Sequence, residues 1–113
     1  MRRRPKDIGT AGETAVVGYL RNWFPDVHRL AQSGAQDVGD IGGVEALTLQ
    51  VKVRKAMELA AWVDQAAVQA ERAHTPHFAV VHKRRGKGNA GEWYCTLPLS
   101  VFASIYYSAL ETV

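Results

Sequence analysis

The sequence predicts a small α/β domain with a mixed sheet of about five strands flanked by three helices. Residues 47–53 (Leu-Thr-Leu-Gln-Val-Lys-Val) alternate apolar and polar side chains with period two, which is the mark of a strand. Two longer stretches, starting near Thr10 and Met57, carry apolar residues at helical spacing. The elements then read in the order helix, three strands, helix, two strands, helix, and such mixing implies helices packed on a sheet. With 113 residues the chain makes one domain, residues 1–113, because a second core would need roughly another hundred.

Residues 1–8, with Arg2, Arg3, Arg4 and Lys6, are expected to be a flexible basic tail. Thr10-Ala11-Gly12-Glu13 has the spacing of a capping box and introduces a helix to about Phe24, with Ala15, Val16, Tyr19, Leu20 and Trp23 as its apolar stripe. Pro25-Asp26 ends it. Short strands are expected at 27–32 and 38–42, separated by a loop at 33–36, and a turn at 43–46 leads into the strand at 47–53. A second helix, 57–73, presents Leu59, Trp62, Val63, Ala66, Ala67 and Ala70 to the core. Its other side, with Gln65, Gln69 and Arg72, reads most simply as solvated. Residues 78–82 make a buried strand, 83–91 a basic glycine-rich hairpin loop, and 92–96 the returning strand. Pro98 suits the first turn of a last helix, to about Leu110. Phe102, Ile105, Tyr106 and Tyr107 on that helix fit part of a dimer face, with burial on the chain's own core as the simpler account.

The 47% hydrophobic and 22% charged content is that of a globular chain. No apolar run approaches the ~20 residues that cross a bilayer, and no signal peptide is evident, so a cytoplasmic location is expected. The single Cys95 excludes an intrachain disulfide and a thiolate-rich zinc site, and it reads as a small core residue. A formal charge of +3 is modest. It is unevenly spread, however: one cluster holds Arg2, Arg3, Arg4 and Lys6, a second Lys52, Arg54 and Lys55, and a third Lys83, Arg84, Arg85 and Lys87. Such clusters, with Arg29, suit a surface that follows a polyanion; solvated loops and ends account for them equally well.

The residues that carry chemistry lie around the predicted hairpin. If strands 38–42 and 47–53 pair about Glu45, Asp40 lies opposite Gln50, and Gln50 and Lys52 share one face because side chains alternate. Leu49, Val51 and Val53 then point to the core. A carboxylate, an amide oxygen and an ammonium in one place suit phosphodiester hydrolysis, in which oxygen ligands hold a Mg²⁺ and an ammonium orients water or balances charge. Glu13 shares the side of its helix with Val16 and Leu20, so it needs either a metal or, as the return half of the capping box, Thr10.

Gly12-Glu13 in a first helix, Ser33-Gly34-Ala35, Gly39-Asp40-Ile41 and Gln50-Val51-Lys52 together resemble the PD-(D/E)XK nuclease superfamily, and within it the archaeal-type Holliday junction resolvases, phage relatives included. The resemblance runs from about Gly9 to Lys55. It implies a restriction-endonuclease-like core in which Glu13, Asp40 and Gln50 hold Mg²⁺, with Mn²⁺ an acceptable substitute. It further implies that Lys52 assists the water, that Ser33 lies near the scissile phosphate, and, as the alternative to a solvated face, that Gln69 approaches the site as a polar residue of that helix does in some relatives. The partner implied is branched DNA, bound by a homodimer during recombination or repair, in a bacterial, archaeal or phage-infected cell.

Gln50 departs from the family's second acid, and a neutral amide binds Mg²⁺ more weakly than a carboxylate. Two alternatives therefore stand beside the endonuclease: a nuclease-like module that only binds nucleic acid, and a nuclease of the same kind acting on another DNA. Asp37 and Glu45 are nearby acids that read first as loop or turn residues. Residues 86–91 lack the GxxxxGK[ST] pattern of a phosphate loop. His74 and His77 are separated by the helix-breaking Thr75-Pro76 and read as loop residues rather than as a metal pair.

Overall fold

A computed structural model of the chain describes residues 4–31 and 37–112. Three helices flank a five-stranded mixed sheet, an α/β fold with the element order expected from the sequence. In chain order these are α1 (Pro5–Leu20), β1 (His28–Arg29), β2 (Ile41–Gly42), β3 (Leu47–Lys52), α2 (Leu59–Ala73), β4 (His77–His82), β5 (Tyr94–Thr96) and α3 (Leu99–Glu111), with a 3-10 turn at Ala90–Glu92 before β5. The sheet order is β1-β2-β3-β4-β5, so strands adjacent in the sheet are also consecutive along the chain. All pairings are antiparallel except β3–β4, which is parallel and is bridged by α2.

Two cores sit on opposite faces of the sheet. Val16 and Val17 of α1 pack with Val27, Ile41, Leu49, Val51, Ala79 and Trp93. Trp62 and Ala66 of α2 pack with Val80 on the other face. β3 is covered on both sides and is buried from Thr48 to Val51, which explains why its alternation marks chemistry rather than solvent exposure.

Several boundaries differ from expectation, each for a physical reason. α1 begins at Pro5, where the missing N–H costs nothing, and Asp7 favours the positive end of the helix dipole. Residues 5–8 are therefore helical rather than a tail, and Thr10 is an interior residue, so no capping box forms. The helix closes at Leu20, leaving Trp23 and Phe24 exposed beyond it. β1 and β2 are only two residues each, and part of the returning 92–96 strand is taken by the 3-10 turn. α2 begins two residues late, with Met57 exposed. Cys95, expected in the core, is exposed; partial burial of its thiol nonetheless pushes its pKa up. No helix among the described residues is long and apolar enough to cross a membrane.

The largest difference is α3. Only Val101 of this helix is buried, while Leu99, Phe102, Ile105, Tyr106, Tyr107 and Leu110 are exposed. Burial on the chain's own core, the simpler expectation, does not hold. The helix carries no charged residue before Glu111, and Phe102 stacks on Tyr106 with ring centroids 5.9 Å apart.

Candidate metal centre

Asp40 sits where β2 parts from β3. The ladder pairs Ile41 with Leu49; one residue earlier, the Asp40 N–H donates to the Leu49 carbonyl at 2.8 Å, and Asp40 Oδ2 accepts from the Val51 N–H at 2.7 Å. These two bonds flank Gln50, so Asp40 lies alongside it as the hairpin register predicts. Its side chain has taken a position that a further β2 residue would hold in a longer hairpin. That substitution ends the strand and fixes the carboxylate at the edge of the ladder.

The faces are settled by α1. A Cβ at Gly12 would meet Val53 and Val51, so the odd-numbered residues of β3 face α1. Gln50 and Lys52 therefore point to the α2 side. Gln50 is 3% exposed, and its Oε1 has no hydrogen-bond partner among the described residues. A buried acceptor left unpaired costs about 1–3 kcal/mol. Burial depresses the Lys52 pKa, helped by Arg54 and opposed by Asp40, Asp37 and Glu58.

Glu13 arrives from α1. Burial raises its pKa first, and the Asp40 charge adds to this; Arg29 of β1 opposes both, its Nε donating to Glu13 Oε1 at 3.1 Å. Glu13 is thus the partner of Arg29 rather than of Thr10, which corrects the capping-box alternative. Asp40 acts electrostatically on both Glu13 and Lys52, so it is the point where the contributions of the two faces meet.

Ser33, Arg2 and Arg3 lie outside the described residues. Glu45 is an exposed turn residue away from these interactions. Asp37 is a loop residue as expected, yet its charge reaches Lys52, and Gln69 Nε2 donates to its Oδ2 at 2.8 Å. Gln69 is 1% exposed, which overturns its reading as part of a solvated face. The signal was present in the sequence, since position 69 falls on the stripe of Trp62, Ala66 and Ala70. His74 is the left-handed C-cap of α2, and the ring of His77 pairs with the Ser104 hydroxyl.

The described residues contain no group of three His, Cys, Asp or Glu able to hold a metal ion. Glu13, carried by α1, and Asp40 interact electrostatically, while Gln50 turns its amide to the α2 side of the sheet. The chain matches no family model, no curated protein and no solved structure.

The basic clusters converge. Because β3 and β4 are parallel, Lys52 and Lys83 leave the sheet at the same end, and the Lys83 N–H donates to the Lys52 carbonyl at 3.1 Å. Ile8 of α1, Val53 and Lys83 line one small cavity there, so the start of α1 adjoins both other clusters. Some of these cations are already engaged. Arg84 lies 4.7 Å from the Tyr94 ring centroid and donates to the Glu92 carbonyl. Lys87 pairs with Glu92 at 3.7 Å, Arg4 with Asp7 at 3.4 Å, and Arg29 with Glu13. Lys6, Arg54, Lys55 and Arg85 are exposed at their surface positions.

Proposed function

We propose that the chain is a Mg²⁺-dependent endonuclease of the PD-(D/E)XK type that cleaves phosphodiester bonds in branched DNA and works as a homodimer. The observation that carries this reading is the Gln50 amide oxygen, buried and with no partner among the described residues, on the residue that the hairpin register sets opposite Asp40 and two residues before Lys52. An acceptor with no donor, on the residue opposite a carboxylate, fits a cation. Burial first and the Asp40 charge second raise the pKa of Glu13, and a shared cation would relieve both. Mn²⁺ fits the same oxygen set.

Glu13, Asp40 and Gln50 would hold the ion. When bound, Mg²⁺ supplies Lewis acidity toward the phosphoryl oxygen and lowers the pKa of a ligated water. Lys52, half-buried at the end of β3, is suited to orient a water or to balance charge on the phosphate. Arg29 balances Glu13, and with a cation bound there its guanidinium would be free to face phosphate. The basic clusters at one end of the sheet suit a DNA backbone, and the exposed apolar α3 suits a second copy of the chain.

A second reading has its own support. With no three-carboxylate group among the described residues, a module that binds junction DNA without cutting it keeps the same basic surface. The two separate in one assay: cleavage of a synthetic four-way junction and of linear duplex, in Mg²⁺ and in EDTA, by wild type and Asp40→Ala. Paired nicks in the junction alone, lost in EDTA and in Asp40→Ala, are expected. Cleavage of both substrates would remove the junction specificity and leave a nuclease for another DNA. Tight binding without cleavage in Mg²⁺ or Mn²⁺ would overturn the enzyme in favour of the binding module.

A further inference from the structure

An amide at position 69, 1% exposed within the apolar stripe of α2, is costly unless its bond does something that packing alone does not. Its Nε2 donates to Asp37 Oδ2 at 2.8 Å, and this fixes the orientation of the amide, because the reverse would turn Oε1 against a carboxylate. The other Asp37 oxygen accepts from the Gly39 N–H at 3.0 Å and closes a turn around it. Gly39 has φ +108° and packs against the Leu49 carbonyl, 3.0 Å from where a Cβ would stand, so the chain passes β3 closely at this point. One turn further along α2, Arg72 donates to the Asp37 carbonyl at 3.3 Å. The next residue after this turn is Asp40.

We infer that Gln69 is a positioning residue for the metal centre, acting through Asp37 to hold the 37–39 turn against α2 and so to fix the Asp40 carboxylate relative to Gln50 and Lys52. The inference rests on the nuclease reading. Partners that orient a metal-ligating side chain in this way typically change metal affinity or activity about 10–100-fold when removed.

The test uses the full chain and four variants: Gln69→Leu, which keeps the buried volume without the bond, Gln69→Asn, Asp37→Ala and the Gln69→Leu/Asp37→Ala pair. Junction cleavage gives kcat and KM, and calorimetric titration with Mn²⁺ gives affinity and stoichiometry separately. Gln69→Leu and Asp37→Ala should each lower kcat by about 10–100-fold. Mn²⁺ binding should weaken in parallel, with KM for DNA and binding stoichiometry unchanged. The double variant should lose no more than the worse single one, because both break the same link. Wild-type kcat and Mn²⁺ affinity in Gln69→Leu, or additive losses in the pair, would overturn the inference while leaving the nuclease intact. A reduced stoichiometry with unchanged affinity would mean a purely structural role and would also overturn it. Wild-type protein that neither cleaves nor binds Mn²⁺ would remove the nuclease reading, and this inference with it.

Discussion

Replacing Gln50 tests the metal centre without any activity assay. Its Oε1 is buried and has no partner among the described residues, a cost of about 1–3 kcal/mol. Gln50→Leu removes that acceptor at similar volume; the amide N–H is lost too, and whatever bond it makes is worth about 0.5–1.5 kcal/mol. The net expectation in EDTA is a gain of about 1 kcal/mol, which for a domain near this size raises Tm by roughly 4 °C. Gln50→Glu moves the other way, since it buries another carboxylate alongside Asp40. The loss is about 1.4 kcal/mol for each pH unit by which the new acid's pKa rises. Adding millimolar Mn²⁺ should reverse the order, with Gln50→Glu gaining most in Tm, wild type gaining less, and Gln50→Leu not responding. Thermal unfolding of the three proteins, with and without EDTA, reads all of this directly. If Gln50→Leu is less stable than wild type in EDTA, the amide oxygen has a partner after all, and the reasoning fails. An equal Mn²⁺ response in wild type and Gln50→Leu would refute it as well.

Three further outcomes follow from the same structure. His82, whose ring pairs with Thr96 at 2.7 Å, has its pKa depressed by burial. The unfolded chain then takes up a proton near pH 6.5 that the folded chain refuses, so stability present above that pH is lost as pH falls below it. Urea unfolding at pH 7.5 and 5 should show a steeper loss in wild type than in His82→Gln, and equal losses would count against a buried neutral imidazole. Trp62→Ala, emptying the core between α2 and β4, should cost about 3–5 kcal/mol by the same method, and a cost under 1 kcal/mol would mean that this face is loosely packed. Phe102→Ser with Tyr106→Ser on exposed α3 should leave monomer stability within about 0.5 kcal/mol. The same pair should convert the sedimenting species from dimer to monomer, and a wild-type monomer would exclude this face as the interface.

The parts of the fold legible in the sequence are those where a local pattern and its tertiary use coincide. β3 announced itself because its two faces carry different chemistry, and α2 because Trp62, Ala66 and Ala70 recur at helical spacing. The position of Asp40 beside Gln50 followed from the turn length alone. What could not be read depends on partners distant in sequence. Thr10 looked like a cap because Glu13 stands three residues on, but Glu13 turns to Arg29, sixteen residues away. Asp37 looked like a loop acid because its partner Gln69 lies 32 positions further on. β2 stops early because the side chain of Asp40, not its main chain, bonds Val51. The apolar residues of α3 read as core, since a sequence shows that a surface wants covering but not which surface covers it.

The sheet order, in which every strand neighbours the next one along the chain, has a kinetic consequence. No pairing spans more of the chain than the stretch that carries α2, so the entropy of closure is modest at every step and assembly needs no long-range search. Asp37, Asp40, Gln50, Lys52 and Gln69 all lie on the segment from the start of the hairpin to α2 and come together as that unit forms. Glu13 alone is carried by α1. The Glu13–Asp40 pair is therefore completed by the docking of one helix, and a cation shared between the two carboxylates, as proposed, would bind only after that docking and hold the helix in place.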